Sequence, residues 1–236
     1  MLIDCGLSVR RLTLALKEFG MEPRDLAGLF ITHEHTDHVK AMCLVTPFAQ
    51  KFNVPVYASR GFWRWYSAYS SRLDKDLVKV IASGEEVDFS GVRVKAFAKP
   101  HDALEPLGFV VEISGERAGF AMDLGHVTAE VKRNLRGLEH LIIESNHDVE
   151  MEKNSGRPRH LIERVLGKLG HLSNEQAAEA LCELVTAGTR QVILAHLSTE
   201  CNTPEKARSL AVERLAEAGW EVPVRVAPYG EVAVYS

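Results

Sequence analysis

The stretch "FITHEHTDHVK", Phe30 to Lys40, sets three histidines and two acids within six positions behind an apolar run. No regular element points all five side chains one way. On a strand His33, His35 and Asp37 share a side and His38 lies opposite; on a helix His33 and Asp37 align and His35 falls away. A bent loop after a strand lets different members face different centres. Imidazole with carboxylate suits zinc, manganese or iron, and two cations about 3.5–4 Å apart form a standard catalytic pairing. Alone, such a loop also reads as a charged surface loop. The recurrence of the pattern argues otherwise. His101, Asp123 and His196 each stand at the end of an apolar, strand-like run, as His33 does. Strand ends at one sheet edge converge, so the four places are expected to meet.

Working outward, strand-like and helix-like segments alternate. Met1 to Asp4 reads as a strand. Ser8 caps a helix with Val9, Leu12, Leu16 and Phe19 at helical spacing, and Gly20 stands at its C-terminal cap. Strands are expected at 26–31, 54–58 and 92–98, a hairpin at 107–113 with 117–122, and further strands at 141–143, 191–195, 222–227 and 231–235. Arg60 to Ile81 reads as a helical, aromatic-bearing insertion. Thr128 caps a helix to about Arg136, Ser173 with Gln176 forms a capping box, and Thr203-Pro204 opens the last helix. With 236 residues and no linker-like tract or repeat, the expectation is a single domain, 1–236, with helices on the outer faces of stacked sheets.

Composition narrows the function classes. A net charge of −4 excludes a globally basic nucleic-acid-binding surface but leaves room for a local groove. Cys5, Cys43, Cys182 and Cys201 form no CxxC pair and read as free thiols of a reducing compartment. No apolar run approaches a membrane span and no signal peptide is read, so no membrane partner and a cytoplasmic location are expected.

The motif HxHxDH, standing as His33-Glu34-His35-Thr36-Asp37-His38, resembles the signature of the metallo-β-lactamase superfamily. His101 in "KPHD", Asp123 in "AMDLG" and His196 in "ILAHLS" match its later ligands. Within the superfamily, "HDALEPLGFVVE", "ESNHD", "GHLSNEQAA" and "VILAHLS" resemble the YycJ/WalJ-type bacterial proteins, which group with nucleases. The resemblance implies an αββα sandwich, an α/β fold of two mixed sheets flanked by helices. In that subgroup a strand and a Gly/Ser-rich turn precede the "LLIDxG" strand. Here the sequence opens at Met1-Leu2-Ile3-Asp4-Cys5-Gly6, so the first strand is expected to be missing.

The resemblance also implies a ligand assignment. His33, His35 and His101 would bind one cation, Asp37, His38 and His196 the other, and Asp123 would bridge them. Two divalent cations, zinc or manganese, are the implied cofactors. A water shared between them, a hydroxide near neutral pH, is the implied nucleophile. Asp37 also orients it; Asp102 and Glu34 are candidates for fixing imidazole tautomers. His171, in "GHLSN", precedes a helix N-terminus and resembles the histidine that contacts the scissile phosphate in tRNA 3′-processing nucleases of this superfamily. His147 either lines the pocket and touches substrate or braces a strand end. His126, His140 and His160 read as structural or surface.

Lys153, Arg157 and Arg159 are candidate phosphate grips, with the interleaved acids Glu152 and Glu163 favouring a solvated face equally. Trp63, Trp65, Tyr66 and Tyr69 suit either base stacking or packing on the core or a homodimer partner. Together these features point to a two-metal phosphodiesterase on nucleic acid, DNA before RNA, and by resemblance a 5′-to-3′ DNA exonuclease. The alternatives are a hydrolase of a cyclic phosphodiester, lactone or thioester, and a catalytically silent regulator tied to cell-wall signalling.

Overall fold

The computed structural model describes residues 1–43, 46–69, 72–89 and 91–235. It divides into two compact units, Met1–Phe89 with Ala103–Leu107, and Ser90–Asp102 with Gly108–Ser236.

The first unit is built on a parallel sheet. β1 (Leu2–Ile3) is followed by α1 (Val9–Glu18), β2 (Leu29–Phe30), α2 (Thr36–Val39) and α3 (Phe48–Phe52). Then come β3 (Val56–Ala58), α4 (Arg60–Tyr69), β4 (Val78–Val80) and β5 (Glu86–Phe89). The sheet order is β1-β2-β3-β4, with Leu2 opposite Leu29, Phe30 opposite Tyr57 and Val56 opposite Val78. α1 forms where expected: Ser8 Oγ accepts from the Arg11 amide, and Leu12 and Leu16 face the core. Gly20 stands at φ 69°, a left-handed position that glycine takes without strain. The core of this unit gathers Leu29, Ile31, Val39, Met42, Phe48, Val56, Phe62 and Tyr66. Because β1, β2 and β3 are parallel, their C-terminal ends share one edge, and Asp4 and the 31–38 segment emerge there.

The second unit holds β6 (Val92–Ala98), β7 (Leu107–Ile113), β8 (Glu116–Ala121), α5 (Ala129–Leu135), β9 (His140–Glu144), α6 (Val149–Lys153) and α7 (Arg159–Val165). α8 (Asn174–Leu184), β10 (Gln191–Ala195), α9 (Pro204–Glu217) and β11 (Val224–Val226) complete it. Its strands run β11-β10-β9-β8-β7-β6. β7 and β8 form the expected antiparallel hairpin; β8 to β11 are parallel. Their ends therefore deliver Asp123, Ser145 and His196 to one edge. α8 and α9 cover a core of Leu135, Leu141, Ile143, Leu181, Val192 and Leu194.

Three expectations change. The 60–81 insertion is α-helical over Arg60–Tyr69, makes a 3-10 turn at Lys75–Leu77 and ends in β4, whose Val78 and Val80 pair with β3. β5 is an additional strand, masked in the sequence by acids at alternate positions. Glu231–Tyr235 is not a strand: its alternation is strand-like, but it joins no ladder among the described residues, and Tyr235 reaches back by its hydroxyl to the Val226 carbonyl at 3.1 Å and by its ring under the Arg225 guanidinium.

Candidate functional site

In the first unit β2 delivers the motif to the sheet edge, where it bends. His33 is fully buried, His35 stands at the N-cap of α2, and Asp37 and His38 lie within α2. The rings of His33 and His38 lie 4.3 Å apart between centroids, those of His33 and His35 4.6 Å. Asp4 organises them. Its carboxylate accepts from the Thr32 amide at 2.8 Å, from the Thr32 hydroxyl at 2.8 Å and from His38 Nδ1 at 2.7 Å. The Thr32 hydroxyl donates its one O–H to Asp4, so at 2.9 Å it accepts from His33 Nδ1. Both imidazoles are thereby fixed as Nδ1–H tautomers, with Nε2 as the atom that could coordinate a cation. Glu34 accepts from the Leu104 amide at 2.8 Å and pins the 103–107 segment.

In the second unit Glu144 plays the matching part. It is fully buried at the end of β9. One oxygen accepts from His171 Nδ1 and His196 Nδ1, each at 2.8 Å; the other accepts from the amides of Leu124 at 2.9 Å and Leu172 at 3.1 Å. Burial pushes its carboxyl upward, but the charge and hydrogen bonds of His171 and His196 outweigh this and hold it down at about 2. Burial likewise pulls His171 down, and Glu144 with Asp123 reverses the sign, leaving it above its usual value. His101 gives its Nδ1 proton to the Gly170 carbonyl at 3.1 Å; burial, opposed by Asp123, takes it down to about 4.

Asp123 and His196 stand at φ 53° and 57°, left-handed conformations rare for non-glycine residues and concentrated at functional sites. Each is clamped through its carbonyl. The buried Lys99 ammonium donates to Asp123 O at 2.9 Å, and Asn146 Nδ2 donates to His196 O at 2.8 Å. A buried amide network, Ser145–Asn174–Asn202, ties the end of β9 to the start of α8 and to the loop before α9.

The donor set fits a divalent cation. Two ligands on one tetrahedral ion with bonds of about 2.0–2.1 Å stand about 3.3–3.5 Å apart. His38 Nε2 lies 3.6 Å from Asp37 Oδ2, and His101 Nε2 lies 3.8 Å from Asp123 Oδ1, spacings too long for hydrogen bonds.

The first unit thus brings His33, His35, Asp37 and His38 together, and the second brings His101, Asp123, His171 and His196 together. Asp102 lies 3.3 Å from His101 Nε2 and pairs with Arg164. His147 is buried, bridged to Ser173, and shifted down by desolvation. The candidate phosphate grips are each engaged by acids. Lys153 meets Glu150 at 2.9 Å, Arg159 meets Glu163 at 2.7 Å, and Arg157 lies between Glu152 and Glu200. His126 and His140 bond the Lys168 carbonyl and Glu116, as structural residues do. Asp4 and Glu144 are the residues the sequence reading passes over. Both are acids directly after an apolar strand, the same signal that marks His101, Asp123 and His196.

A family model described as "Beta-lactamase superfamily domain" matches residues 1–197. The chain is 32% identical over 222 residues to "Exodeoxyribonuclease YycJ" of Bacillus anthracis, covering 94% of this chain and 83% of that one. It is 31% identical over 226 residues to "Exodeoxyribonuclease WalJ" of Streptococcus pneumoniae serotype 2, covering 95% and 83%. Among solved structures, the metallo-β-lactamase fold protein YhfI of Bacillus subtilis superimposes with a TM-score of 0.68 at 17% identity, covering 96% of this chain and 83% of that one.

Proposed function

The chain belongs to the β-lactamase superfamily and has the metallo-β-lactamase fold, and from that premise we propose that it is a metal-dependent nuclease, a DNA exonuclease working from the 5′ end in the cytoplasm. The names of its two relatives support hydrolysis of DNA. The single-domain reading goes with it, since residues 1–197 of the family model draw on both compact units. We assign His33, His35 and His101 to one cation and Asp37, His38 and His196 to the other, with Asp123 shared. The Nδ1 anchoring of His33, His38, His101 and His196 supports that assignment.

Two divalent cations, zinc or manganese, would supply Lewis acidity and a water made acidic near neutral pH. The chain's own groups do the rest. Asp37, 65% exposed at its side chain, orients the attacking water. His171, held by Glu144, is the group on the scissile phosphate that carries a proton to the leaving oxygen. His147 lines the same end of β9, while Lys153 and Arg159, in exposed pairs that contribute little to stability, exchange acids for phosphates.

The observation that carries this reading is the Glu144–His171 pair. A phosphodiester's alkoxide leaving group needs a proton donor, whereas a thioester's thiolate does not. The deciding assay incubates metal-loaded protein with end-labelled DNA and RNA beside a His35→Ala control. Stepwise loss of nucleotides from the 5′ end of DNA, absent in the control, is expected. Equal digestion by both proteins would refute the assignment.

A further inference from the structure

The sequence leaves two candidate grips on a polyanion, and the structure separates them. The cations of residues 153–164 must each leave a carboxylate to take a phosphate: Lys153, Arg157, Arg159 and Arg164 each meet one. α4 is different. Residues 60–72 contain three arginines and no acid, within a chain of net charge −4. Arg60 and Arg64 are exposed and, among the described residues, meet no carboxylate. Four residues apart on one helix, they lie one turn from each other on the same side.

Four of the five aromatic side chains of α4 form two stacks. Phe62 and Tyr66 are buried and stacked at 5.7 Å, which accounts for the core. Trp65 and Tyr69 form a second stack, 5.4 Å between centroids and within 10° of parallel, and Tyr69 is 58% exposed. Trp65 packs partly against the core, which leaves Tyr69 as the open face of that stack. Tyr69 is also anchored: its hydroxyl donates to the Cys43 carbonyl at 3.4 Å, beside the Tyr66 hydroxyl donating to the Met42 carbonyl at 3.3 Å. Those carbonyls continue the chain from α2, which carries Asp37 and His38.

From this arrangement we infer that α4 is a grip for unpaired nucleotides, with bases stacking on the Trp65–Tyr69 pair and Arg60 and Arg64 holding the adjoining phosphates. The inference rests on the nuclease reading and names its substrate as single-stranded DNA or a single-stranded end. Bases inside a duplex already stack on one another and present no open face to an aromatic ring. An aromatic pair flanked by unpaired arginines matches the combination that holds single strands without reading sequence.

The test measures binding of a cleavage-resistant phosphorothioate oligothymidylate and of a blunt duplex by metal-loaded protein. In parallel it follows turnover of a bis-aryl phosphodiester too small to reach α4. Tyr69→Ala is expected to weaken single-strand binding about tenfold, and Tyr69→Phe to retain it. Arg60→Glu with Arg64→Glu is expected to weaken it further and to flatten its salt dependence by about two phosphate contacts. Small-diester turnover stays unchanged in all of them. The inference is overturned if single-strand affinity stays within twofold of the unaltered chain, or if the duplex loses as much. It is equally overturned if sedimentation shows the variants splitting a dimer, which would make α4 a protomer contact. Binding that depends on α4 in a protein unable to cleave any diester would support the grip while refuting the nuclease reading.

Discussion

Glu144 shows how much one buried acid governs. Its two oxygens accept four hydrogen bonds, two from imidazoles and two from backbone amides. Replacing it by Gln turns one oxygen into an NH2 that faces either the amides of Leu124 and Leu172 or the two ring N–H groups. No rotamer satisfies both sides. Glu144→Gln is expected to lower metal affinity and diester hydrolysis together by about 10–100-fold, whereas His171→Ala should leave metal content intact and lower hydrolysis alone by about 10²–10⁴-fold. Metal titration beside turnover separates the two, and a Glu144→Gln protein with normal affinity and rate would remove Glu144 from the site. The seven proposed ligands are legible in sequence because they come as histidines in one crowded loop or as lone polar residues after apolar runs. Asp4 and Glu144 were less visible because an acid at a strand end is common, and only the fold brings three donors onto the one and four onto the other.

At the level of elements, the caps carry their own signature. Asp148 caps α6 through the Met151 amide and bonds Lys206, and that Lys206 bond, ahead of the cap, holds its carboxyl below the usual range. A lowered carboxyl contributes stability that is complete above its unfolded pKa of about 3.9 and is lost as pH falls through the folded value. The melting temperature of Asp148→Asn should therefore trail the parent by a constant margin above about pH 5, with the two converging in stronger acid; a margin that widened on acidification would be the wrong sign. Capping signals of this kind made α1, α5, α8 and α9 readable. β4 and β5 were not, since three- and four-residue strands are short and polar at alternate positions and are decided by partners distant in sequence. The 231–235 alternation misleads for the same reason: a pattern makes a strand only where an edge accepts it.

For the molecule as a whole, metal and fold should be coupled. Ions that bind the native but not the unfolded chain at a thousandfold over Kd add about 4 kcal/mol, which for a chain of this size raises the melting temperature on the order of 10 °C. Scans with zinc, with manganese and with a chelator would show it, and superimposable curves would count against any native metal centre. No described helix is long and apolar enough to cross a membrane. A parallel sheet and a mixed one were foreseeable from alternating segments and a hairpin, whereas the division into two compact units was not, because no linker marks it. Asp123 and His196 keep backbone angles that suit glycine at a cost of roughly 1–3 kcal/mol each. In a mutant library screened for heat resistance alone, with a chelator present, glycine at 123 or 196 should accumulate. Selection for turnover should purge the same alleles, so these two positions mark where durability and chemistry pull the sequence in opposite directions.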